Sequence, residues 1–103
     1  MNNNNKLLEL IKQDPSNIID IPEKYRTMEL CEELLNIDPM ALYYIPKNIL
    51  NYTMCLKAVK RNGAVLEFVP HTYRTYELCW EAIQEYPQAL QFVPALFKNV
   101  RRG

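Results

Sequence analysis

Three cysteines stand at equal intervals of 24 residues, Cys31, Cys55 and Cys79. Thiols at fixed spacing raise three chemistries: metal binding, disulfide formation and redox exchange. A metal site needs paired ligands such as C-x-x-C, and no such pair occurs. Nucleophilic catalysis needs a base held against a nucleophile and oriented by a third group. The chain offers one histidine, His71, and one serine, Ser16, far apart in sequence. Gly63 and Gly103 are the only glycines, too few for a loop that cradles phosphate. No catalytic residue, metal ligand or cofactor is therefore expected, and the chain reads as a non-enzyme.

The interval itself carries more information than the thiols. Residues 21–44, 45–68 and 69–92 align without gaps, and the first and third agree at Pro22/Pro70, Tyr25-Arg26-Thr27/Tyr73-Arg74-Thr75 and Glu29-Leu30-Cys31/Glu77-Leu78-Cys79. Residues 1–20 form a degenerate copy and 93–103 a truncated one, so the 103 residues read as one repeat-built domain. A period in this range marks stacked supersecondary units that cannot bury their apolar faces alone.

Each copy is punctuated alike. Thr27, Asn51 and Thr75 share a column with Asn3 and Asn99, and their side-chain oxygens suit the first N–H groups of a following helix. Apolar residues follow at helical spacing, Leu30, Cys31, Leu34 and Leu35 in one copy and Leu78, Cys79, Ala82 and Ile83 in another. Asp38-Pro39 and Tyr86-Pro87 stop that helix and start a shorter one with proline in its first turn. The shorter helix must end before Ile45-Pro46, Val69-Pro70 and Val93-Pro94, because a residue preceding proline avoids helical geometry. Gly63 replaces proline in the column of Pro15, Pro39 and Pro87, and reads as a tolerated substitution with negative φ. The expected fold is all-α, a short solenoid-like stack of helical hairpins with one long and one short helix per repeat.

That geometry argues against a disulfide. Equivalent positions on packed helices lie about 8–10 Å apart, beyond the roughly 7 Å between Cα atoms that a disulfide tolerates. Each cysteine also falls on the apolar face of its helix, so core packing is the expected role. Unpaired cysteines fit a reducing, cytoplasmic compartment.

Composition narrows the partners. Twelve basic residues balance twelve acidic ones, which argues against a general nucleic-acid or membrane-surface binder. No apolar run is long enough to span a bilayer, and the amino terminus lacks the layout of a common secretion signal.

The stretch Ala58 to Phe68, with Val69-Pro70, Thr75, Glu77-Leu78-Cys79, Ala89-Leu90 and Val93-Pro94, resembles a family of short helical repeats of unknown function found in bacterial, phage and giant-virus proteins. The likeness runs over nearly the whole chain. Its matching positions are caps, core and turns, so it implies a fold and an interaction role and no reaction.

Positions that vary between copies mark where a partner would bind. One column holds Leu8, Glu32, Leu56 and Trp80, another Ile19, Tyr43, Glu67 and Gln91 beside Met40. Trp and Tyr are the usual interface anchors. Trp80 with Leu56, and Tyr43 with Met40, are the candidate contacts, joined by Tyr52 and Tyr76 as either helix staples or contacts. Phe97 and Val100, in the truncated copy, are candidates for self-association. The expected function is a protein-binding module, in its narrowest form a small inhibitor or adaptor docking on a larger complex. Two alternatives stay open: nucleic-acid binding through Lys57, Lys60, Arg61, Lys98, Arg101 and Arg102, and thiol-dependent redox chemistry.

Overall fold

The computed structural model describes residues 3–98. Among these, five α-helices follow in order: α1 (Asn3–Gln13), α2 (Met28–Ile37), α3 (Tyr52–Arg61), α4 (Tyr76–Glu85) and α5 (Ala95–Lys98). Among the described residues there is no strand, and no helix is long and apolar enough to cross a membrane. The protein is all-α and built from repeats.

The expected caps are in place. Thr27 Oγ1 accepts from Leu30 N at 3.2 Å, Asn51 Oδ1 from Met54 N at 2.9 Å and Thr75 Oγ1 from Leu78 N at 3.1 Å. Asn3 departs from its column, since it already lies within α1. Asn99 lies outside the described residues.

The short helix of each copy is a 3₁₀-helix rather than an α-helix. Four of them run Pro15–Asp20, Pro39–Tyr44, Gly63–Phe68 and Pro87–Phe92. Proline or glycine at the start and an extended residue before the next proline leave only six positions between them. Wound as 3₁₀, six residues span about 12 Å instead of about 9 Å, nearer the roughly 15 Å of a ten-residue helix. A further single 3₁₀ turn, Glu23–Tyr25 or His71–Tyr73, leads into the next cap.

One residue joins each long helix to its 3₁₀-helix. Asp14, Asp38 and Asn62 donate backwards, to the carbonyls of Leu10, Leu34 and Ala58. Each also accepts forwards with its side chain, from the amides of Ser16, Met40 and Ala64. Their backbone is extended, with φ between −159° and −147°. Tyr86 fills the fourth such position, with the same backbone and no side-chain cap.

The chain divides into two compact units, Met1–Leu50 and Asn51–Gly103. In the first, α1 packs on α2, Pro15–Asp20 lies on α1, and Pro39–Tyr44 lies on both α2 and Pro15–Asp20. Ile11, Ile18, Leu30, Leu34 and Leu42 fill the core between them. In the second, α3 packs on α4, and Gly63–Phe68 is wedged among α3, α4 and Pro87–Phe92. Val59, Val65, Leu66, Leu78, Ala82 and Ala89 form that core. No polar or charged side chain is fully buried among the described residues.

Gly63 is no casual substitution. Its φ is negative, as the proline column requires, but a Cβ there would lie 2.2 Å from the Ala82 carbonyl oxygen and 2.8 Å from Tyr86 Cβ. Backbone stands where a side chain would begin. The residue also has an N–H that proline lacks, and it donates to the Glu85 carboxylate. Glycine here lets the 3₁₀-helix close directly onto α4.

Candidate interaction surfaces

The thiols are core. Cys31, Cys55 and Cys79 are free and buried, one on the inner face of each of α2, α3 and α4. Burial pushes the Cys31 thiol up to about 11, with the Arg26 guanidinium pulling down and Glu32 pushing up. Burial alone lifts Cys55 to about 12, and it raises Cys79 against the pull of Arg74. The Cys31 S–H points at the Arg26 carbonyl oxygen, 3.7 Å away. Protonated, enclosed thiols are poor nucleophiles and poor metal ligands. No group of three potential metal-ligating side chains occurs among the described residues, and His71 sits exposed on its 3₁₀ turn.

Two arginines, overlooked in the sequence, bind each unit's carbonyl groups. Arg74 donates from Nε to Val69 O at 2.7 Å, from Nη1 to Phe92 O at 2.8 Å and from Nη2 to Glu67 O at 3.2 Å. Arg26 repeats the pattern in the first unit, with Ile21 O at 2.9 Å and Tyr44 O at 3.0 Å. Carbonyls at the ends of successive 3₁₀-helices have no partner further along their own helix, and the planar fork of a guanidinium reaches two at once. The signal was present as the tripeptide Tyr-Arg-Thr, written at 25–27 and again at 73–75.

The aromatic candidates divide by engagement. Tyr52 is half-buried, its ring edge-on to Tyr73 at 6.3 Å and its hydroxyl 2.9 Å from Thr75 Oγ1. It staples the start of α3 to the cap of α4. Tyr76, one repeat on, meets Phe97 at 5.7 Å in the same edge-on manner but remains exposed. Half-buried Phe97 is thus engaged within its own unit. Val100 lies outside the described residues, as do Arg101 and Arg102.

Trp80 is 40% exposed on α4, while Leu56, its counterpart on the adjacent α3, is half-buried. Met40 and Tyr43 come together on Pro39–Tyr44, because residues three apart eclipse one another along a 3₁₀-helix. Tyr43 is 67% exposed and stands edge-on against Tyr44 at 5.2 Å. Ile19, at the matching position of the neighbouring 3₁₀-helix, is 54% exposed. The sequence columns thus lead to two exposed apolar surfaces, one in each unit.

Short α-helices alternating with 3₁₀ segments at a fixed period, closed by recurrent caps over an apolar core, define a tandem helical-repeat protein. The chain belongs to the family described as a domain of unknown function, DUF4116, whose profile matches residues 27–74 and again 51–98. The two matches are offset by one repeat, as tandem copies require. No curated protein and no solved structure matches the chain.

Proposed function

We propose that this protein is a non-enzymatic module that binds another protein. One observation supports the reading above the rest. On a backbone repeated with the same caps and core, large apolar side chains stand exposed at variable positions, Tyr43 with Met40 in one unit and Trp80, beside half-buried Leu56, in the other. Exposed aromatic side chains of this kind suit a partner's pocket, since aromatic anchors supply most of the energy of such interfaces. The enclosed thiols favour this over redox chemistry, and suit a cytoplasmic setting in the producing or host cell. The narrower form, a small inhibitor or adaptor docking on a larger complex, draws support from the resemblance to phage and bacterial repeat proteins.

The test is affinity capture from a cell extract, then reassembly with the purified captured protein, comparing wild type with Trp80→Ala and Tyr43→Ala. At least one variant is expected to weaken the reassembled complex about tenfold or more. A complex equally tight with both variants, or capture of nucleic acid and no protein, overturns the reading.

A further inference from the structure

We infer that the 3₁₀ face of the first unit, centred on Ile19 and Tyr43, is the docking surface, and that its occupant is a basic peptide segment carrying aliphatic or aromatic side chains. The inference rests on the interaction reading above and adds to it a location and a partner chemistry.

The location follows from a comparison that the molecule makes with itself. All four 3₁₀-helices begin after one extended residue and end before an extended Ile or Val. Position for position, the first unit places Ile19 and Tyr43 where the second places Glu67 and Gln91. Those four side chains are all exposed. Met40, 36% exposed, continues the first unit's apolar line, against Ala64 and Gln88 in the second. In the second unit Gln91 Nε2 merely caps Gln88 O at 3.2 Å. The repeat accepts polar residues at these positions, so the shared backbone does not itself dictate apolar ones. Because Pro15–Asp20 packs on Pro39–Tyr44, Ile19 and Tyr43 stand on adjoining elements of one face.

The chemistry follows from charge. The two 3₁₀-helices with their joining residues, 14–20 and 38–44, carry Asp14, Asp20 and Asp38 and no lysine or arginine. Asp14 and Asp38 each turn one carboxylate oxygen to a backbone amide of their own 3₁₀-helix. Asp20 directly follows Ile19 and is exposed. The same bias extends over the unit, in which residues 1–50 hold eight acidic and five basic side chains. An apolar line edged by carboxylates complements an apolar segment edged by ammonium or guanidinium groups, and repels an acidic one.

The test uses three sets of short synthetic peptides, lysine with leucine and phenylalanine, glutamate with leucine and phenylalanine, and lysine with serine. Binding to the full chain is followed by fluorescence anisotropy of the labelled peptide. The lysine–leucine–phenylalanine set is expected to bind at least about tenfold more tightly than either other set. Its affinity is expected to fall as ionic strength rises from about 0.01 M to about 0.1 M, where the Debye length shrinks from about 30 Å to about 10 Å. The double variant Ile19→Glu/Tyr43→Gln writes the second unit's residues onto the first, so folding is retained, with circular dichroism as the check. It is expected to lose binding about tenfold or more, and Asp20→Lys to weaken it less. Gln91→Ala, at the matching position of the second unit, is expected to bind as wild type. Equal binding of the glutamate or serine sets, no binding of any set, or full binding by the double variant overturns the inference. A captured protein that depends on Trp80 and ignores Ile19 and Tyr43 also overturns it while sparing the interaction reading. That reading falls instead if no protein is captured or if the complex is indifferent to both Trp80→Ala and Tyr43→Ala.

Discussion

Arg74 Nη1 donates to the carbonyl oxygen of Phe92 at 2.8 Å, while its Nε holds Val69 O at 2.7 Å. One side chain thereby ties the end of the 3₁₀-helix before α4 to the end of the one after it. The first unit repeats the device with Arg26, and the remaining copy has Leu50 in that column.

Replacing Arg74 with leucine, the residue already present at 50, should therefore destabilise the second unit. Charge-assisted hydrogen bonds contribute about 1.5–3 kcal/mol each when enclosed. Arg74 is only half-buried, so a total loss of about 1–3 kcal/mol is expected. Trp80 is the only tryptophan and belongs to this unit, so its fluorescence in a urea titration reads the change directly. Arg74→Lys should recover less than half, because an ammonium is a compact donor and not a planar fork.

Gly63→Ala is expected to cost about 1–3 kcal/mol as an overpacked core does, since the Ala82 carbonyl stands in the way. Gly63→Pro should cost more, although proline occupies the same column at 15, 39 and 87. It adds ring atoms to the same crowded spot and deletes the N–H that Glu85 accepts. Equal or greater stability of the proline variant in thermal unfolding would contradict this account.

The thiols give a pH dependence. Burial holds Cys31 at about 11 and Cys55 at about 12, against an ordinary value of 9.0. The folded state thus disfavours thiolate. The stabilising difference is fully present below pH 9 and is lost as the unfolded chain ionises above it. Stability should fall more steeply between pH 9 and pH 11 in wild type than in Cys55→Val, where one such group is gone. Alkylation by iodoacetamide at pH 8 should be slow in the native protein and rapid in denaturant.

Thr75 Oγ1 serves two partners, the Leu78 amide and the Tyr52 hydroxyl. Thr75→Ala should cost about 1 kcal/mol or somewhat more as a lost cap, and Thr75→Ser much less. Because Tyr52 shares that oxygen, the effects of Tyr52→Phe and Thr75→Ala should not add. A double-mutant cycle in urea is expected to give a coupling of about 0.5 kcal/mol or more.

Much of this architecture was legible in the residues. Thr27, Asn51 and Thr75 announced the helix starts because a cap depends only on the few residues after it. The cysteine column announced its burial because its neighbours repeat at helical spacing. What stayed hidden depends on tertiary approach. Nothing local at Gly63 shows that Ala82 lies against it, and only the paired Tyr-Arg-Thr hinted at the carbonyls awaiting Arg26 and Arg74. Six-residue segments are too short for periodicity to distinguish 3₁₀ from α winding. Among the candidate contacts, Tyr43 and Trp80 were readable as variable columns, whereas the engagement of Tyr52 required knowing where Thr75 would fall.

Asp14, Asp38 and Asn62 each finish one helix with the backbone and begin the next with the side chain, so no slack residue separates the two. Adding or deleting a single amino acid at such a joint would rotate the following 3₁₀-helix off its seam within the unit. Packing of this scaffold is consequently quantised: a whole copy can be added with every joint intact, whereas a single inserted residue breaks one.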